Sequence, residues 1–548
     1  MVEDIRELIK KHALLNAISY GGKANSKAVI GKILAEKEEL RSKIKEILPL
    51  VEEIVNEVNK LSLEEQLKMV NYPVSLKSKE EKKILPPLPK AEKGKVVTRF
   101  PPEPSGYLHI GHAKAAIIDH EYARMYDGKF ILRFDDTNPV NAKIEYYEAI
   151  KEDLIWLGVK PDIIENTSDD LERLYYYAER LIEKGFAYVC LCDPETIKLN
   201  RMKGMECNCR KSSFEVNLER WEKMFKEYSR NEAILRFKGN MKSLNTVMRD
   251  PTLFRIIEEE HPLKGNKYRV WPTYDFAAPV KDSLDGVTHA LRTKEYELRD
   301  ELYFSILKAL ELREPILIEF SRLEMKGSVL SKRKIREMIS KGLVSGWDDP
   351  RLATLRALKR RGYQPEAIKE FILSLGVSKV ESEPTWDLIN SINRKIIDPK
   401  AKRLFFVSEP VKVKLEGFPL KKVKLRYHPD RDLGEREIEI TESLFISKED
   451  FESIREGEKI RLMDLGNFTI KEDKLLFDGF ELDHKLKKFH WVNGKALDLK
   501  VLFPLEDRLI KGKVEDNFQN LNIGDIVQFV RFGFCKIDSK DEVIFLHK

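Results

Sequence analysis

The segment around Gly111 constrains the fold more than any other part of this chain. The apolar run at 95–98 is typical of a strand, Pro-Pro and Ser-Gly turn residues follow it, and an alanine-rich segment with helical character begins at His112. A helix N-terminus that follows a strand binds phosphate groups, because its free N–H groups and the positive end of its dipole point at the ligand. His109 and His112 flank the glycine, and imidazoles can donate hydrogen bonds to phosphate oxygens as negative charge develops. The segment therefore predicts a phosphate site, at which Gly111 lets a ligand approach the backbone closely.

A β-then-α rhythm surrounds this segment. The spacing predicts a strand over 96–100, a helix over 112–126 and a strand over 130–134, which form a βαβ unit with parallel strands and a right-handed crossover. The second strand ends at Asp135 and Asp136. Carboxylates at the carboxyl end of a parallel strand face the ligand crevice, so we assign Asp135 a functional role; the alternative is a turn and helix cap, which Asp136 or Asn138 could provide.

Length and charge bound the class of protein. A chain of 548 residues is too long for one core and suggests three to five domains. The net charge of +6 permits a polyanionic partner without requiring one. No apolar run is long enough to span a bilayer, and the acidic start lacks the pattern of a signal peptide, so we expect a cytoplasmic protein with no membrane partner. In that compartment cysteines are ligands or buried thiols more often than disulfides.

Four of the five cysteines fall within one short window. Cys190, Cys192, Cys207 and Cys209 could hold a structural zinc ion in a tetrahedral array of thiolates, without an open position for catalysis. The C-x-C spacing is tighter than the common C-x-x-C, and four free thiols are the alternative. Cys535 is distant in sequence, and we expect it to be a small buried hydrophobic residue.

A second motif lies far downstream, at Val329-Leu-Ser331-Lys332-Arg333. Together with His109-Ile-Gly111-His112 it resembles the KMSKS and HIGH signatures of class I aminoacyl-tRNA synthetases, and the flanking residues narrow the resemblance to the glutamyl/glutaminyl branch. At 329, 330 and 333 the chain has Val, Leu and Arg in place of Lys, Met and Ser, a variation common in archaeal and eukaryotic members. The alternative is an ordinary solvated basic loop.

The resemblance implies which residues handle ATP. His109, His112 and Lys332 are the expected catalytic residues, and Lys332 is suited to neutralise charge on the leaving pyrophosphate. The expected ATP-binding residues are Pro102, Glu103, His109, Gly111, His112, Ser331 and Lys332.

The resemblance also assigns the amino-acid site to Arg99, Asp135, Tyr274 and Arg292. Arg292 lies in "ALRTKE", where glutaminyl enzymes typically carry a cysteine, and Ala278 stands where those enzymes tend to show histidine. A guanidinium matches a carboxylate in charge and planar geometry, so these departures favour glutamate over glutamine. The alternative for Arg292 is a surface ion pair with a nearby glutamate, at 295 or 297.

The expected fold class is α/β: a Rossmann-type class I synthetase catalytic domain with an N-terminal helical domain, a helical linker domain and C-terminal β-barrels. The short alternating runs after about 403 resemble the paired anticodon-binding barrels of archaeal-type glutamyl-tRNA synthetases. The N-terminal helices could contact a partner or tRNA, or could be a solvated appendage. The expected segments are an N-terminal helical domain at 1–76, a charged Pro-rich linker at 77–95, the first catalytic half at 96–185, an acceptor-binding insertion at 186–265, the second catalytic half at 266–335, a helical connecting domain at 336–402 and β-barrels at 403–548.

The resemblance implies a glutamate–tRNA ligase. Such an enzyme activates L-glutamate with ATP and Mg²⁺, transfers it to the 3′ end of tRNA(Glu), and acts as a monomer in most of this branch; whether tRNA(Gln) is also charged stays open. Two alternatives remain: a glutamine–tRNA ligase, against which Arg292 and Ala278 argue, and a non-catalytic tRNA-binding protein on the same fold. The intact residues His109, His112 and Lys332 argue against the second alternative.

Overall fold

The computed structural model describes residues 2–19, 22–37, 40, 44–62, 65–66, 69, 85–381 and 383–548. The chain forms two compact units, Met1–Ile84 and Leu85–Lys548. Within the described part of the chain, no helix combines the length and apolar character needed to cross a membrane.

Among its described residues the first unit has the helices α1 (Val2–Ser19), α2 (Ser26–Glu36) and α3 (Ile44–Lys60). Asn25 begins α2 by accepting hydrogen bonds from the backbone N–H groups of the helix's first turn. Apolar residues at helical spacing meet in a small core that includes Ile9, Ala13, Val29, Ile33, Val51 and Val55. Residues 77–84 of the expected linker lie outside the described residues. Its remainder is not free-standing, because Leu85 and Leu88 are buried in the core of the second unit.

The second unit opens with the βαβ unit that the sequence predicts. In chain order it contains β1 (Val97–Phe100), α4 (Ile110–Met125), β2 (Lys129–Phe134), α5 (Ile144–Trp156) and β3 (Ile163–Asn166). The three strands are parallel in the order β1-β2-β3. In β2, the central strand, residues on both faces of the sheet are buried, which is typical of a sheet covered by helices.

The insertion follows α6 (Leu171–Glu183) and is built on a four-stranded antiparallel sheet. The strands lie side by side in the same order as they follow one another in the sequence, β4-β5-β6-β7, and two helices complete this part of the fold. The elements are β4 (Ala187–Cys190), α7 (Pro194–Lys203), α8 (Phe214–Lys226), β5 (Ile234–Phe237), β6 (Thr252–Ile256) and β7 (Val270–Pro272). The last strand lies beyond residue 265, so the sheet extends past the expected end of the insertion.

The second catalytic half returns to the parallel sheet. The backbone N–H of Thr288 donates to the carbonyl oxygen of Val97 (3.0 Å), which brings the new strands alongside β1. The parallel pair β8-β9 therefore lies beside the three-stranded sheet with β8 next to β1, which gives the spatial order β3-β2-β1-β8-β9 of a doubly wound nucleotide-binding fold. The elements are α9 (Tyr274–Leu284), β8 (His289–Thr293), α10 (Asp300–Leu310) and β9 (Ile316–Phe320).

Four helices connect this domain to the barrels: α11 (Lys332–Ser340), α12 (Leu355–Arg361), α13 (Pro365–Leu375) and α14 (Trp386–Ile397). The sequence from Gly346 to Gly362 is rich in Arg, Lys and Leu and predicts one basic amphipathic helix over 346–362, but the helix begins only at Leu355. Asp349 explains the late start, because its carboxylate accepts the backbone N–H groups of Ser345 and Arg351 in a turn (2.9 and 3.0 Å). The hydroxyl of Thr354 then caps the helix.

The C-terminal part contains two seven-stranded sheets, each around its own core, and the hairpin β13–β14. One sheet has the order β19-β16-β17-β18-β12-β15-β20 and the other β10-β23-β24-β25-β21-β22-β11. The alternating runs at 411–415, 421–425, 436–440, 526–530 and 543–546 predict strands, and each of them forms one. The bounds are β10 (Lys402–Leu404), β11 (Phe406–Ser408), β12 (Pro410–Glu416), β13 (Lys422–Arg426), β14 (Glu435–Glu439), β15 (Ser443–Ser447), the short helix α15 (Lys448–Glu452), β16 (Lys459–Leu462), β17 (Gly466–Lys471), β18 (Lys474–Gly479), β19 (Lys488–Phe489), β20 (Val492–Asn493), β21 (Leu497–Phe503), β22 (Arg508–Val514), β23 (Ile526–Phe529), β24 (Gly533–Ile537) and β25 (Glu542–His547).

Candidate active site

A cavity of about 770 Å³ lies where β1, β2 and β8 end and α4 begins. Its place at the carboxyl ends of parallel strands, next to a helix N-terminus, is the expected ligand site of such a sheet. Apart from the cysteines, every residue that the sequence assigned to the site lines this cavity except Ser331, which lines a neighbouring cavity formed by the loop over 322–334. The predicted residues in the main cavity are Arg99, Pro102, Glu103, His109, Gly111, His112, Asp135, Tyr274, Arg292 and Lys332.

The two imidazoles form the N-terminal cap of α4. Nδ1 of His109 accepts the backbone N–H of Gly111 (3.1 Å), and Nδ1 of His112 accepts the backbone N–H of His109 (3.2 Å). Burial lowers the pKa of His109 to about 3 and that of His112 well below its usual value, and Lys332 and Arg322 act in the same direction. Both rings are therefore neutral near pH 7. Since each Nδ1 is an acceptor, the ring proton is on Nε2, which is the donor left for a ligand.

Gly111 is required by a close approach rather than by its backbone angles. A Cβ at this position would lie 2.9 Å from Cε1 of His109 and 3.3 Å from the carbonyl oxygen of Leu323. Any side chain would therefore displace the cap ring.

Lys332 begins α11 and closes the downstream loop on the first motif. Its Nζ donates to the backbone carbonyl oxygen of Glu103 (3.0 Å), and the Ser331 hydroxyl caps the same helix by accepting from the Lys334 N–H (3.4 Å). Burial lowers the pKa of Lys332 to about 8, against the opposing effect of Glu103. The ammonium group thus lies at the cavity wall with a backbone oxygen as its partner.

Trp347 is a neighbour of the site that the sequence did not single out. Its ring stacks on Tyr107 at a centroid distance of 5.5 Å, and a Cβ at Gly106 would lie 2.9 Å from it. The only signal was the Gly-Trp-Asp-Asp-Pro run, which we had assigned to the basic helix.

At the other end of the cavity Arg99 is buried and fully engaged with the protein. Its Nε and Nη2 donate to Asp282 (2.9 and 3.1 Å) and its Nη1 to the carbonyl oxygen of Leu291 (2.8 Å). Asp282 also accepts from Arg133 (2.7 Å) and from the Tyr303 hydroxyl (2.9 Å). Burial alone would raise the pKa of Asp282, but the two guanidinium groups outweigh it and lower that pKa to about 2. The carboxylate at the centre of this network had not been assigned a role.

Arg292 is also buried, and it forms an ion pair with Asp300. The alternative of a surface ion pair with Glu295 or Glu297 was wrong, because those residues pair with Arg322 (3.2 Å) and Lys379 (3.0 Å). Nε and Nη1 of Arg292 are buried and have no hydrogen-bond partner among the described residues. Arg292 lines the cavity, so these two nitrogen atoms are hydrogen-bonding capacity that the protein itself leaves unused there.

Asp135 and Asp136 have different surroundings although they are adjacent. Burial raises the pKa of Asp135 to about 6, with Asp136 and Glu103 adding to the effect. The oxygens of Asp136 accept from the N–H and hydroxyl of Ser168 (2.8 and 2.7 Å) and from the hydroxyl of Tyr147 (2.9 Å). Its expected role as a helix cap was wrong, since α5 begins eight residues later, after Lys143.

The four clustered cysteines meet at the end of β4, with all Sγ atoms within 4.8 Å of one another. The Sγ atoms of Cys190 and Cys207 are 3.8 Å apart. Tetrahedral zinc with Zn–S bonds of about 2.3 Å places its sulfurs about 3.8 Å apart, so the spacing fits the metal. Donors also surround the sulfurs, as metal-bound thiolates require: the N–H of Leu191 lies 3.5 Å from Cys209 Sγ, and Nη1 of Arg236 lies 3.8 Å from Cys190 Sγ. Cys535 is buried in a separate apolar core, as predicted.

Comparison with known proteins agrees with this geometry. The family model for the catalytic domain of class I tRNA synthetases (E and Q) matches residues 95–399, and the two models for their anticodon-binding domain match 401–480 and 481–538. The chain belongs to this family of class I synthetases. It is 48% identical over 569 residues to the glutamate–tRNA ligase of Nitrosopumilus maritimus and 46% identical over 576 residues to that of Thermococcus kodakarensis, with all of each chain covered. The predicted family and fold class are therefore confirmed.

Proposed function

We propose that the chain is a glutamate–tRNA ligase, which activates L-glutamate with ATP and transfers it to tRNA(Glu). One observation in the structure carries the choice of amino acid: the guanidinium of Arg292, a residue that lines the cavity and has two nitrogen atoms without a partner among the described residues. A carboxylate offers acceptors to both donors, whereas the amide of glutamine offers one acceptor and two donors. Relatives that match the whole chain at 44–48% identity are named as glutamate–tRNA ligases, which supports the same choice.

The phosphate end of the cavity supplies the activation step. The triphosphate lies at the N-terminus of α4, where the Nε2–H donors of His109 and His112 and the ammonium of Lys332 stabilise charge as the α-phosphorus is attacked. The glutamate α-carboxylate attacks in line and pyrophosphate leaves; a hydroxyl of the terminal adenosine of tRNA then attacks the carbonyl carbon of the adenylate, and AMP leaves. Positioning and charge stabilisation carry the reaction without a protein nucleophile. Mg²⁺ accompanies ATP, whose phosphates provide most of its ligands.

The opposite end of the cavity holds the amino acid. Asp135 accepts hydrogen bonds from the α-ammonium group, Arg292 binds the side-chain carboxylate, and Tyr274 forms part of the wall. Arg99 lines this end too, but its bonds to Asp282 and Leu291 make it a support for the wall, and direct contact with the amino acid stays a prediction. The expected monomeric state also stays a prediction.

The function is tested by ATP–pyrophosphate exchange with tRNA present, measured separately for glutamate and glutamine. We expect exchange with glutamate only. Exchange with glutamine but not glutamate would identify a glutamine–tRNA ligase. Exchange with neither would favour a non-catalytic tRNA-binding protein. Aminoacylation of purified tRNA(Glu) and tRNA(Gln) then decides whether the second tRNA is also charged.

We further propose that Cys190, Cys192, Cys207 and Cys209 hold a structural zinc ion in the insertion. The 3.8 Å sulfur spacing and the donors around the sulfurs support it. Metal analysis of protein purified without chelator should find about one zinc per chain, and serine at Cys190 and Cys207 should abolish it. The matched control is Cys535→Ser, which should leave the zinc content unchanged. Protein that contains no zinc would favour the free-thiol alternative.

A further inference from the structure

A carboxyl group without a partner lies in the wall of the active-site cavity. Asp119 is 1% exposed and lies on α4, seven residues after His112. His112, Ala115 and Asp119 share one face of the helix, and all three line the cavity. With a rise of 1.5 Å per residue, Asp119 lies about 10 Å along the helix from His112. It is therefore far from the phosphate end of the cavity.

No described residue forms a hydrogen bond or ion pair with the Asp119 side chain. Its Oδ1 is buried without a partner, and only its backbone carbonyl oxygen is used, by the Thr98 hydroxyl (2.7 Å). The neighbouring guanidinium of Arg99 is engaged with Asp282. Buried carboxyl groups are almost always paired, because leaving one without a partner is costly. Here the cavity is the one place from which a partner can come.

The chemistry around Asp119 favours its uncharged form. Burial raises the pKa of Asp119 well above its usual value; Asp282 adds to this effect, and Arg99 opposes it without reversing it. A protonated carboxyl group carries one O–H donor. Arg292, whose Nε and Nη1 have no partner among the described residues, lines the same cavity. These groups together make a receptor for an anionic group with free oxygen lone pairs.

We propose that Asp119 is a further specificity-determining residue, whose carboxyl O–H donates a hydrogen bond to the side-chain carboxylate of glutamate that Arg292 also binds. This inference rests on the proposed function. The roughly 10 Å along α4 from the phosphate end is bridged by a glutamyl group that extends from the α-phosphate toward Arg292. An ionised Asp119 would instead repel the substrate carboxylate or bind its α-ammonium group, and the two cases differ in their response to substitution.

The test compares two variants in ATP–pyrophosphate exchange with tRNA present, with glutamate and ATP varied separately. Asp119→Asn keeps an uncharged donor, an N–H, at the same place, so the KM for glutamate should stay within about threefold of wild type. Asp119→Ala removes the donor, and that KM should rise about tenfold, the loss expected for one hydrogen bond to a charged group. The KM for ATP should not change in either variant. Asp127→Asn, which removes an exposed carboxylate just beyond the same helix, is the control and should match wild type in both constants.

Three results would overturn the inference. If Asp119→Asn is impaired as strongly as Asp119→Ala, the negative charge is what matters, and the α-ammonium is the partner. If Asp119→Ala leaves the KM for glutamate unchanged, Asp119 does not contact the substrate. If both variants raise the KM for glutamate and the KM for ATP equally, Asp119 has a structural role only. Should Asp119→Ala fail to fold, the comparison of Asp119→Asn with wild type still separates these cases. A wild-type enzyme that exchanges with glutamine alone would contradict the proposed function instead, independently of the variants.

Discussion

The two ends of the active-site cavity use different physical chemistry. At the phosphate end, neutral imidazoles and backbone N–H groups of one helix turn surround the space, and the one ammonium, on Lys332, contacts only a backbone oxygen. At the amino-acid end, guanidinium groups are held in ion pairs, with the buried carboxylate of Asp282 and with the partly exposed carboxylate of Asp300.

The difference follows from what each end has to recognise. A triphosphate carries its own charge and a metal ion, so donors without counterions suit it and stabilise charge as it develops. An amino-acid side chain must be told apart from a near isostere, which requires guanidinium groups whose orientation is set before the substrate arrives. The specificity then lies in the N–H groups that the ion pairs leave free.

The largest expected effect concerns the ion pairs at the amino-acid end. Asp282→Ala would leave Arg99 and Arg133 buried without their shared carboxylate, and we expect the free energy of unfolding to fall by about 3–5 kcal/mol. Denaturant unfolding measures it. The exposed carboxylate of Asp127 gives the control, since Asp127→Asn removes the charge, tolerates the positive φ of 48° at this position and should cost little. An Asp282 variant as stable as wild type would show that the network does not stabilise this end.

Arg292→Cys should change the choice of substrate. Glutamate activation should lose about 2–5 kcal/mol in kcat/KM, because the substrate carboxylate is left without its charged partner. The guanidinium, whose N–H donors oppose the N–H groups of the glutamine amide, is then also absent, so glutamine is no longer excluded on that ground. The measurement is the ratio of kcat/KM for glutamate over glutamine in exchange assays. Arg292→Lys, which keeps a charge but not the planar fork, should fall between wild type and cysteine. If the ratio does not change, Arg292 does not contact the amino-acid side chain.

His112→Ala tests the phosphate end. Loss of one charge-stabilising donor should reduce adenylate formation by about 10²-fold and leave tRNA affinity unchanged. Single-turnover adenylate formation and a tRNA binding assay measure the two quantities. His112→Gln offers an N–H donor from its amide and should recover part of the rate. Wild-type rates in the alanine variant would mean that the imidazole does not act in the transition state.

The smallest expected effect is a dependence on pH. The pKa of about 8 at Lys332 means that its charge is present below pH 8 and lost as the pH rises through that value. The KM for ATP should therefore rise about tenfold between pH 7 and pH 9, as the charged fraction falls. Lys332→Arg keeps its charge over this range and should give a flat profile. A wild-type profile as flat as that of the arginine variant would contradict the role of the ammonium.

The same contrast explains what the sequence could predict. The phosphate end is local: turn residues, two histidines and a helix within a dozen positions identify it, and all of them lie at the predicted place. The amino-acid end depends on pairs that are distant in the chain, such as Arg99 with Asp282, 183 residues apart. No local pattern shows which distant carboxylate a guanidinium will meet, so Arg99 was identified while Asp282 was not. The late start of α12 was not predicted either. The Asp349 carboxylate accepts backbone N–H groups there and so favours a turn over a helix.

The order of strands in the C-terminal sheets has a consequence for biosynthesis. Strand β10 pairs with β23, so that Lys402 lies opposite Val527. These two residues are 125 positions apart, and the chain between them includes the whole first sheet. At about 5–20 residues per second, a ribosome needs roughly 6–25 s to deliver the partner. Until then the edges of β10 and β11 stay unpaired. The first sheet, whose strands lie between β11 and β21 in the chain, can already form. A chain halted after residue 493 should therefore contain one completed sheet and two strands exposed to the nascent-chain environment, and these are the positions at which a chaperone would find an unpaired edge.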